Sequence, residues 1–314
     1  MKKDIQSILV IVNPTSGQVK HKFPIIDQLL GIKRRKNQSL CPTDAIEMIQ
    51  AFFRDTSISL TIKTAESSVH ATEISKQAVH DNIDAIIVVG GDGTINAVVN
   101  GIAHSNVALG VIPFGTANVF SLEFDLPLDI NLACQKVLDG HCTQIDLGRL
   151  NDNYFCCMSG IGFDAFVIQK ADRYLKRIYG ALSYIIVAFK EYLFYPFQPI
   201  YITVDGNPEP KKGYFVIVGN SKYYGGQMVF SPKASPTDGY LDVCIFKYKH
   251  ILHTIFSILK MKFGMINHSS IEYFQAKTIQ IKKSGDHNIH IDAEYACKTP
   301  ATISISERAL WVIC

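Results

Sequence analysis

The stretch GGDGTIN, residues 90–96, combines residue types that bind phosphate groups. Its glycines let backbone N–H groups approach phosphate oxygens without a Cβ atom in the way. Asp92 stands out, because a carboxylate repels a polyphosphate unless a divalent cation or a substrate proton compensates its charge. The combination predicts phosphoryl transfer assisted by magnesium. A tight corner in which Asp92 only forms the turn is the structural alternative.

Two other turns have similar chemistry, NPTSG at residues 13–17 and PFGTAN at residues 113–118. Each follows an apolar run typical of a strand, and ligands bind beyond the carboxyl ends of strands in an open parallel sheet. Three such turns favour a phosphate site over three unrelated corners. The GxGxxG spacing of a dinucleotide-binding turn is absent from GGDGTIN. Hydroxyl groups that can donate to phosphate oxygens belong to Thr15, Ser16, Thr94 and Thr116.

The elements that must position these turns alternate between strand and helix. After GGDGT, apolar residues recur at the spacing of one helix face, which predicts a helix beginning at Thr94. Strands alternating with helices of about ten residues indicate βαβ units. Residues 1–145 are therefore predicted to form an α/β Rossmann-like domain with a parallel sheet. Its predicted strands are 8–12, 59–65, 85–89 and 107–112.

The pattern changes near Ile145, after which many short strands follow one another with turn signals between them. Such a series is typical of an antiparallel sandwich. Residues 146–314 are therefore predicted to form a mainly antiparallel β-sandwich domain, interrupted by helices at 170–194 and 251–266. The last strand can belong to either domain.

The composition bounds the function. A chain of 314 residues is long enough for two domains, and its net charge of +3 gives no reason to expect nucleic acid as a partner. The eight cysteines have no metal-ligand spacing and indicate reduced thiols in a cytoplasmic protein. The apolar stretch 178–197 is interrupted by Lys190 and Glu191, so it predicts a mostly buried helix and no membrane span.

Taken together, the motifs resemble the diacylglycerol kinase family of lipid kinases. This family includes the bacterial diacylglycerol kinases and phosphatidylglycerol-kinase-like proteins and is related to the sphingosine kinases. The first half contributes NPTSG, VVGGDGTINAVVNGI and PFGTAN, and the second half contributes GIGFDA, SPKASPTDGYLDV and IDAE. The resemblance implies transfer of the γ-phosphate of ATP to a hydroxyl of diacylglycerol or a related membrane lipid. It also implies a nucleotide-binding first domain and a lipid-substrate second domain.

The resemblance further implies roles for individual residues. Glu294 takes the position of the catalytic base, and Asp92 would help to position magnesium and the hydroxyl group. A Mg²⁺ site is implied at Asp238, completed by the carbonyl groups of Ser235 and Tyr240. The residues implied to bind ATP are Asn13, Pro14, Thr15, Ser16, Gly17, Thr64, Gly90, Gly91, Gly93, Thr94, Ile95, Asn96 and Thr116.

The chain departs from the family pattern at three positions, where it has Ala97, Val119 and Ala293. The first two replace carboxylates that the family often has, which keeps open a nucleotide- or lipid-binding pseudokinase. An NAD kinase shares GGDGT but is disfavoured by NPTSG and PFGTAN. The expected partner surface is an anionic membrane at its inner face, contacted by the IKRRK run (32–36) or by the aromatic residues of 174–197. A homodimer is compatible with the sequence.

Overall fold

The computed structural model describes residues 1–16, 41–171, 182–226, 228–249, 269–283 and 285–314. These residues form two compact units. The first unit comprises the described residues up to 145 together with 308–314, and the second comprises the described residues between 146 and 307. Gly17, the IKRRK run and the helix expected over 251–266 lie outside the described residues.

The first unit is built on a parallel sheet. Its strands pair in the order β2-β1-β3-β4, and all of these neighbours run parallel. They are β1 (Ser7–Val12), β2 (Ser59–Thr64), β3 (Ala85–Gly90) and β4 (Ala108–Pro113). The end of the last strand of the chain extends this sheet, because Trp311 and Val312 pair in parallel with Ala108 and Leu109. The predicted α/β domain with a parallel sheet is confirmed.

Five helices in the described part of the first unit accompany the sheet. They are α1 (Pro42–Phe53), α2 (Ser68–His80), α3 (Asp92–Ile102), α4 (Val119–Glu123) and α5 (Ile130–Asp139). Ile49 of α1 and Val137 of α5 are buried in one hydrophobic cluster with strand residues such as Ile87. Helices α2 and α3 pack closely at Gly101, where an added Cβ would lie 2.5 Å from the Cβ of Ser75.

Helices α4 and α5 do not follow from the strand–helix pattern read from the sequence. Helix α5 nevertheless carries both of the usual end signals. The Asp129 side chain accepts a hydrogen bond from the Leu132 N–H at 3.0 Å, and Gly140 ends the helix with φ +68°. Helix α4 has only five residues and begins after Asn118 in a left-handed conformation, so it carries no periodic signal.

The second unit is a sandwich of antiparallel strands, as predicted. One sheet has six strands in the order β14-β13-β10-β7-β16-β17. These are β7 (Met158–Gly162), β10 (Phe215–Gly219), β13 (Leu241–Phe246), β14 (Ile271–Ala276), β16 (Asn288–Ile291) and β17 (Glu294–Lys298). Alternation places the side chains of Leu241, Val243 and Ile245 on the inner face.

The other sheet packs on that inner face. Its strands β18, β15, β8 and β9 pair antiparallel in this order, and Ile279 and Ile303 join the core. Strands β5 and β18 continue from one unit into the other. The segments TISISE and ALWVIC, which read as two strands, form the single strand β18. The remaining strands are β5 (Cys142–Leu150), β6 (Asn153–Phe155), β8 (Ile200–Val204), β9 (Lys211–Gly213), β11 (Tyr223–Tyr224), β12 (Met228–Val229), β15 (Thr278–Ile281) and β18 (Ala301–Ile313).

Two helices belong to the described part of the second unit, α6 (Phe163–Lys170) and α7 (Leu182–Tyr192). Helix α7 lies within the helix expected over 170–194, whereas α6 was not expected and ends at Lys170. In the described ranges, no helix is both long enough and apolar enough to cross a membrane. All eight cysteines are free thiols.

Candidate active site

The three phosphate-type turns of the first unit lie at one edge of its sheet. They follow β1, β3 and β4, which are adjacent parallel strands, so their carboxyl ends meet at the same edge. Backbone hydrogen bonds join the turns in sequence. The Asn13 N–H donates to the Val89 carbonyl at 3.0 Å, and the Phe114 N–H donates to the Gly90 carbonyl at 2.7 Å. Thr64 ends β2 at the same edge and is exposed.

The glycines of two turns are needed where the backbones approach each other. A Cβ on Gly91 would lie 2.9 Å from the Gly115 Cα, and a Cβ on Gly115 would lie 2.7 Å from the Gly91 Cα. A Cβ on Gly90 would lie 2.8 Å from the Thr94 Cβ. No side chain fits at these points. The turns GGDGT and PFGTAN therefore pack backbone to backbone.

Asn13 connects the first turn to the second. Its side-chain amide donates to the Thr94 hydroxyl oxygen at 2.9 Å, while its Oδ1 atom accepts from the Thr15 N–H and hydroxyl at 3.0 and 2.8 Å. Thr94 is buried, Ser16 and Thr116 are half-buried and Thr15 is exposed. Since a hydroxyl group can donate and accept at once, the Thr94 proton can still be donated to a ligand.

Helix α3 begins at Asp92, two residues before the predicted start at Thr94. The Gly91 carbonyl already accepts the N–H groups of Thr94 and Ile95 at 2.9 and 3.0 Å, which makes Gly91 the N-cap. Asp92 is thus the first residue of the helix, where the positive end of the helix dipole stabilises a carboxylate. Its Oδ1 atom also accepts from the Phe120 N–H at 3.1 Å, at the start of α4.

Asn118 is a candidate site residue that our sequence reasoning missed. It adopts a left-handed conformation with φ +48°, and its side-chain amide donates to the Gly115 carbonyl at 3.0 Å. Its Oδ1 atom is buried and has no hydrogen-bond partner among the described residues. A buried acceptor without a partner costs free energy, so this atom is available for a donor from a ligand. The sequence does contain a signal for this residue. Asparagine tolerates the left-handed region, and Asn118 stands at the end of the PFGTAN turn.

In the second unit, Glu294 is presented by a two-residue hairpin. Ile291 pairs with Glu294, and the turn residues Asp292 and Ala293 both have positive φ, at +44° and +63°. This geometry matches a type I′ turn. Glu294 is exposed and is the first residue of β17, after the turn that follows the strand from which we expected it to project.

Asp292 holds this hairpin in place and was also missed. Its buried carboxylate accepts backbone N–H groups from Cys156, Cys157 and Met158 at 2.8, 2.9 and 3.1 Å. Its own N–H donates to the Met158 carbonyl at 2.9 Å. An acid after an alternating strand normally marks a solvated end, and sequence alone does not reveal the three donors that make this one internal.

The loop from Ser235 to Tyr240 contains the implied metal ligands. The Asp238 carboxylate is exposed and accepts from the Tyr240 N–H at 3.0 Å and from the Gln275 side-chain amide at 3.1 Å. The Ser235 carbonyl accepts the Asp238 N–H at 3.4 Å. Carboxylate and carbonyl oxygens are the ligands that Mg²⁺ prefers, and two lone-pair positions remain on the carboxylate. The loop therefore fits such an ion.

A metal ion in this loop would depend mainly on carbonyl groups and water. Within the described ranges, no three His, Cys, Asp or Glu side chains are grouped as a metal site. The nearest additional acid in sequence is Asp242, which is buried and accepts a hydrogen bond from the Tyr273 hydroxyl. Burial raises the pKa of the Asp242 carboxyl, a change that its hydrogen bonds from Tyr273 and Gln275 oppose.

A buried network joins the metal loop to the Glu294 hairpin. Asp146 accepts the Gly239 N–H at 2.8 Å and donates its own N–H to the Pro236 carbonyl at 2.7 Å. The side-chain amide of Asn220 donates to the carbonyls of Asp146 and Cys156, both at 2.9 Å. The N–H of Cys156 in turn donates to Asp292. Asn220 thereby links the two segments.

The Asp238 loop and the Glu294 hairpin lie at the same end of the strands of the six-stranded sheet but are not in contact. The pairs Gly219–Asp242, Gly219–Met158 and Ser159–Ile291 place the start of β13 and the end of β16 at one edge. Strands β10, β7 and β16 separate β13 from β17. Four steps between neighbouring strands amount to roughly 19 Å. An ion held by Asp238 would therefore organise its loop and would not contact Glu294.

Comparisons with known proteins agree with this organisation. Residues 42–150 match the family model described as the diacylglycerol kinase catalytic domain. Residues 158–314 match the model described as the YegS C-terminal NAD kinase beta sandwich-like domain. Among curated relatives, the diacylglycerol kinase of Staphylococcus aureus strain JH9 is 31% identical over 302 residues, 95% of this chain and 89% of the relative. That of strain MRSA252 is 30% identical over the same length and shares of both chains.

A solved structure is similar over the whole chain. It is a protein from Bacillus anthracis str. Sterne that is proposed to be a diacylglycerol kinase. The two structures superpose with a TM-score of 0.74 at 26% sequence identity, covering 100% of this chain and 96% of the other. The similarity therefore extends to both units of the fold.

Proposed function

We propose that this chain, which belongs to the diacylglycerol kinase family, transfers the γ-phosphate of ATP to a hydroxyl group of diacylglycerol or a related membrane lipid. Membership of the family supports a phosphotransferase with an alcohol group as acceptor. Its relatives from Staphylococcus aureus, named diacylglycerol kinases, support a lipid as that acceptor.

The observation that carries the proposal is the convergence of three turns at one sheet edge. Gly91 and Gly115 pack against each other, so the turns after β3 and β4 meet through their main chains. The amino-terminal end of α3 adds its positive dipole, and the Asn118 Oδ1 atom lacks a partner among the described residues. These groups suit the phosphates and the hydrogen-bonding edge of the base of a nucleotide.

The first unit is accordingly assigned to the nucleotide and the second to the lipid. In the first unit, ATP would be held by main-chain N–H groups and hydroxyls of the three turns. These belong to Asn13 to Gly17, Gly90 to Asn96 and Thr116, with Thr64 at the end of β2. The second unit would supply the base and the surface for the lipid.

The reaction requires one proton acceptor. The lipid hydroxyl oxygen forms a bond to the γ-phosphorus, the bond between that phosphorus and the bridging oxygen of ADP breaks, and the hydroxyl proton passes to the Glu294 carboxylate. ADP leaves with the bonding electrons. Glu294 suits the role because it is exposed and lies on a turn fixed by Asp292. Asp92, at the start of α3, would help to position magnesium and the hydroxyl group.

Magnesium is the proposed cofactor. When bound, such an ion neutralises the charge that develops on the phosphate oxygens. The oxygen ligands offered by the chain are Asp238 with the carbonyl groups of Ser235 and Tyr240, and Asp92 beside the phosphates. The Asp238 loop is already shaped by hydrogen bonds from Tyr240 and Gln275. An ion bound in this loop would therefore stabilise the loop, and the reaction would take place at the three turns that bind the nucleotide.

A direct test is to incubate the protein with a total lipid extract, Mg²⁺ and ATP labelled on its γ-phosphate, and to identify the labelled product. A labelled phospholipid derived from diacylglycerol is the expected result. Turnover with NAD in place of lipid would indicate an NAD kinase. Nucleotide binding without turnover would indicate a pseudokinase, the alternative suggested by Ala97 and Val119, which are both buried.

We expect the protein to act in the cytoplasm and to reach its substrate at the inner face of the membrane. A lipid substrate supports contact with a membrane, because diacylglycerol remains in the bilayer. A parallel reaction with diacylglycerol in mixed micelles separates lipid recognition from attachment to a bilayer. A homodimer is tested in the same preparation by its mass in solution.

A further inference from the structure

Helix α7 of the second unit and the turn that follows it expose apolar side chains. Phe189 is 79% exposed, Leu193 77%, Phe194 82% and Ile186 45%. No other large hydrophobic side chain among the described residues exceeds three-quarters exposure. Ile186 and Phe189 lie three residues apart on one face of α7, and Leu193 and Phe194 follow in the turn after its last residue. We call this set of four residues the apolar face. A surface helix of a globular protein normally presents polar residues to water, so this arrangement is reversed.

The helix is fixed to the unit by side chains that do not belong to the apolar face. Val187 is buried in a small cluster with Val167 and Ala171, the first of which lies on α6. Tyr192 packs edge-on against Phe163, with ring centroids 5.9 Å apart. The apolar face is therefore held outward by a packed helix. A surface of this kind marks a site of interaction with a membrane or another protein.

Three exposed lysines lie on α7 or on segments that contact the same part of the second unit. Lys190 is exposed and, four residues after Ile186, projects from the same side of α7. Lys170, at the end of α6, is exposed and lies over the Phe166 ring. The Tyr192 hydroxyl donates to the Lys249 carbonyl at 3.4 Å, which brings a further exposed lysine to the end of α7. Aromatic residues with lysines at their rim are typical of helices that lie in a membrane interface.

We propose that the apolar face inserts into the surface of a lipid bilayer that contains anionic lipids. The apolar side chains would enter the acyl boundary, while Lys170, Lys190 and Lys249 would contact anionic headgroups. This inference rests on the proposed function, since a lipid substrate is what requires the chain to approach a bilayer. The three lysines favour an anionic bilayer over a second copy of the chain as the partner. In a dimer formed through two apolar faces, the lysines of the two copies would be brought close together and would repel each other.

The test measures sedimentation of the protein with phosphatidylcholine vesicles prepared with and without phosphatidylglycerol, in the absence of ATP. The Phe189→Ser, Phe194→Ser double variant should bind both kinds of vesicle at least about tenfold more weakly than the unchanged protein. Lys190→Glu should lose affinity only for the vesicles with phosphatidylglycerol. The matched control is Leu132→Ser, which replaces a side chain that is also exposed but lies on α5 of the first unit. It should bind as the unchanged protein does.

Thermal unfolding of each variant establishes that the fold is retained, as expected for side chains in solvent. Equal binding by the double variant and the unchanged protein overturns the inference, as does an unchanged protein that binds neither vesicle. A change in mass in solution without a change in vesicle binding overturns it in favour of self-association. A protein that phosphorylates diacylglycerol in micelles but ignores vesicles refutes this inference alone. Binding through the apolar face without lipid phosphorylation refutes the proposed function alone.

Discussion

The Asp292 carboxylate accepts a hydrogen bond from the Cys157 N–H at 2.9 Å, across more than a hundred residues of sequence. The neighbouring N–H groups of Cys156 and Met158 donate to the same carboxylate. Because Asp292 forms the first half of the hairpin turn, these bonds fix the direction in which Glu294 leaves that turn. We infer that Asp292 positions the proposed base without taking part in the chemistry.

Replacing Asp292 with alanine should destabilise the protein by about 3 kcal/mol or more, because three buried N–H groups lose their acceptor. Urea unfolding measures this loss. Asp292→Asn keeps one carbonyl oxygen, which serves the N–H groups of Cys157 and Met158 and should restore part of the stability. Asp286→Ala is the control, since Asp286 is exposed and pairs with Lys298 at the surface. Equal stability of the Asp292 and Asp286 variants would contradict the positioning role.

Glu294→Gln should lower kcat by ~10²–10⁴, because the amide cannot accept the hydroxyl proton, while the KM for ATP stays nearly constant. Steady-state kinetics with diacylglycerol in micelles measures both quantities. Glu209→Gln removes an exposed carboxylate from the same unit and should change neither. If Glu294→Gln keeps its rate at saturating ATP and loses ATP affinity, Glu294 binds nucleotide or metal and the base must be sought at Asp92.

Asp92→Asn should abolish turnover and leave the fold intact. The amide oxygen can still accept the Phe120 N–H, so the junction between the two turns keeps its shape while the charge is lost. Turnover and the thermal unfolding midpoint are measured together. Asp55→Asn makes the same change at an exposed position after α1 and serves as the control. Undiminished turnover in Asp92→Asn would indicate that Asp92 only forms the turn and has no part in the reaction.

Ala293→Gly should stabilise the protein by about 1 kcal/mol, because Ala293 has φ +63°, a region in which a Cβ atom is disfavoured. Ala296→Gly, in the extended strand β17, should instead destabilise it by about 0.5–1 kcal/mol. Chemical denaturation distinguishes the two. A loss of stability in both variants would mean that the turn is not strained at Ala293.

The stability of the protein should depend on pH through Asp242. Burial raises the pKa of its carboxyl above the ordinary value of 3.8, so the folded state binds a proton that the unfolded state releases. Stability from this group is complete below pH 3.8 and is lost as pH rises through the raised pKa. Asp242→Asn should remove that decline. The measurement is the free energy of unfolding as a function of pH for the unchanged protein, for Asp242→Asn and for Asp286→Asn, the exposed control. The same pH dependence in all three proteins would refute the prediction.

The parallel sheet and the sandwich were predictable because both depend on patterns that are local in sequence. The turns after β1, β3 and β4 carry glycine and hydroxyl residues whose meaning does not depend on distant contacts. The start of α3 was misplaced because a glycine carbonyl can cap a helix that apolar periodicity reveals only two residues later. Helix α5 was not predicted although Asp129 and Gly140 are ordinary end signals.

The internal network could not be predicted from the sequence. Asp146 lies within β5, Asn220 follows β10 and Asp292 lies in a turn. From the sequence, each is expected to be solvated until its hydrogen-bond partners are known. Their partners are brought together by pairing between β7, β10 and β16, which is set by the register of the sheet. The outward direction of Phe189 is equally hidden, because a periodic apolar stripe on a helix normally indicates the buried side.

The strand β18 has a consequence for synthesis on the ribosome. Its residues Trp311 and Val312 pair with Ala108 and Leu109 at the edge of the first sheet, yet the whole second unit lies between them in the chain. Until that intervening polypeptide has been made, β4 presents an unpaired edge on which a nascent sheet can pair with another chain. The first unit thus completes its folding after the second has been translated, and residues 1–145 expressed alone would leave that edge open.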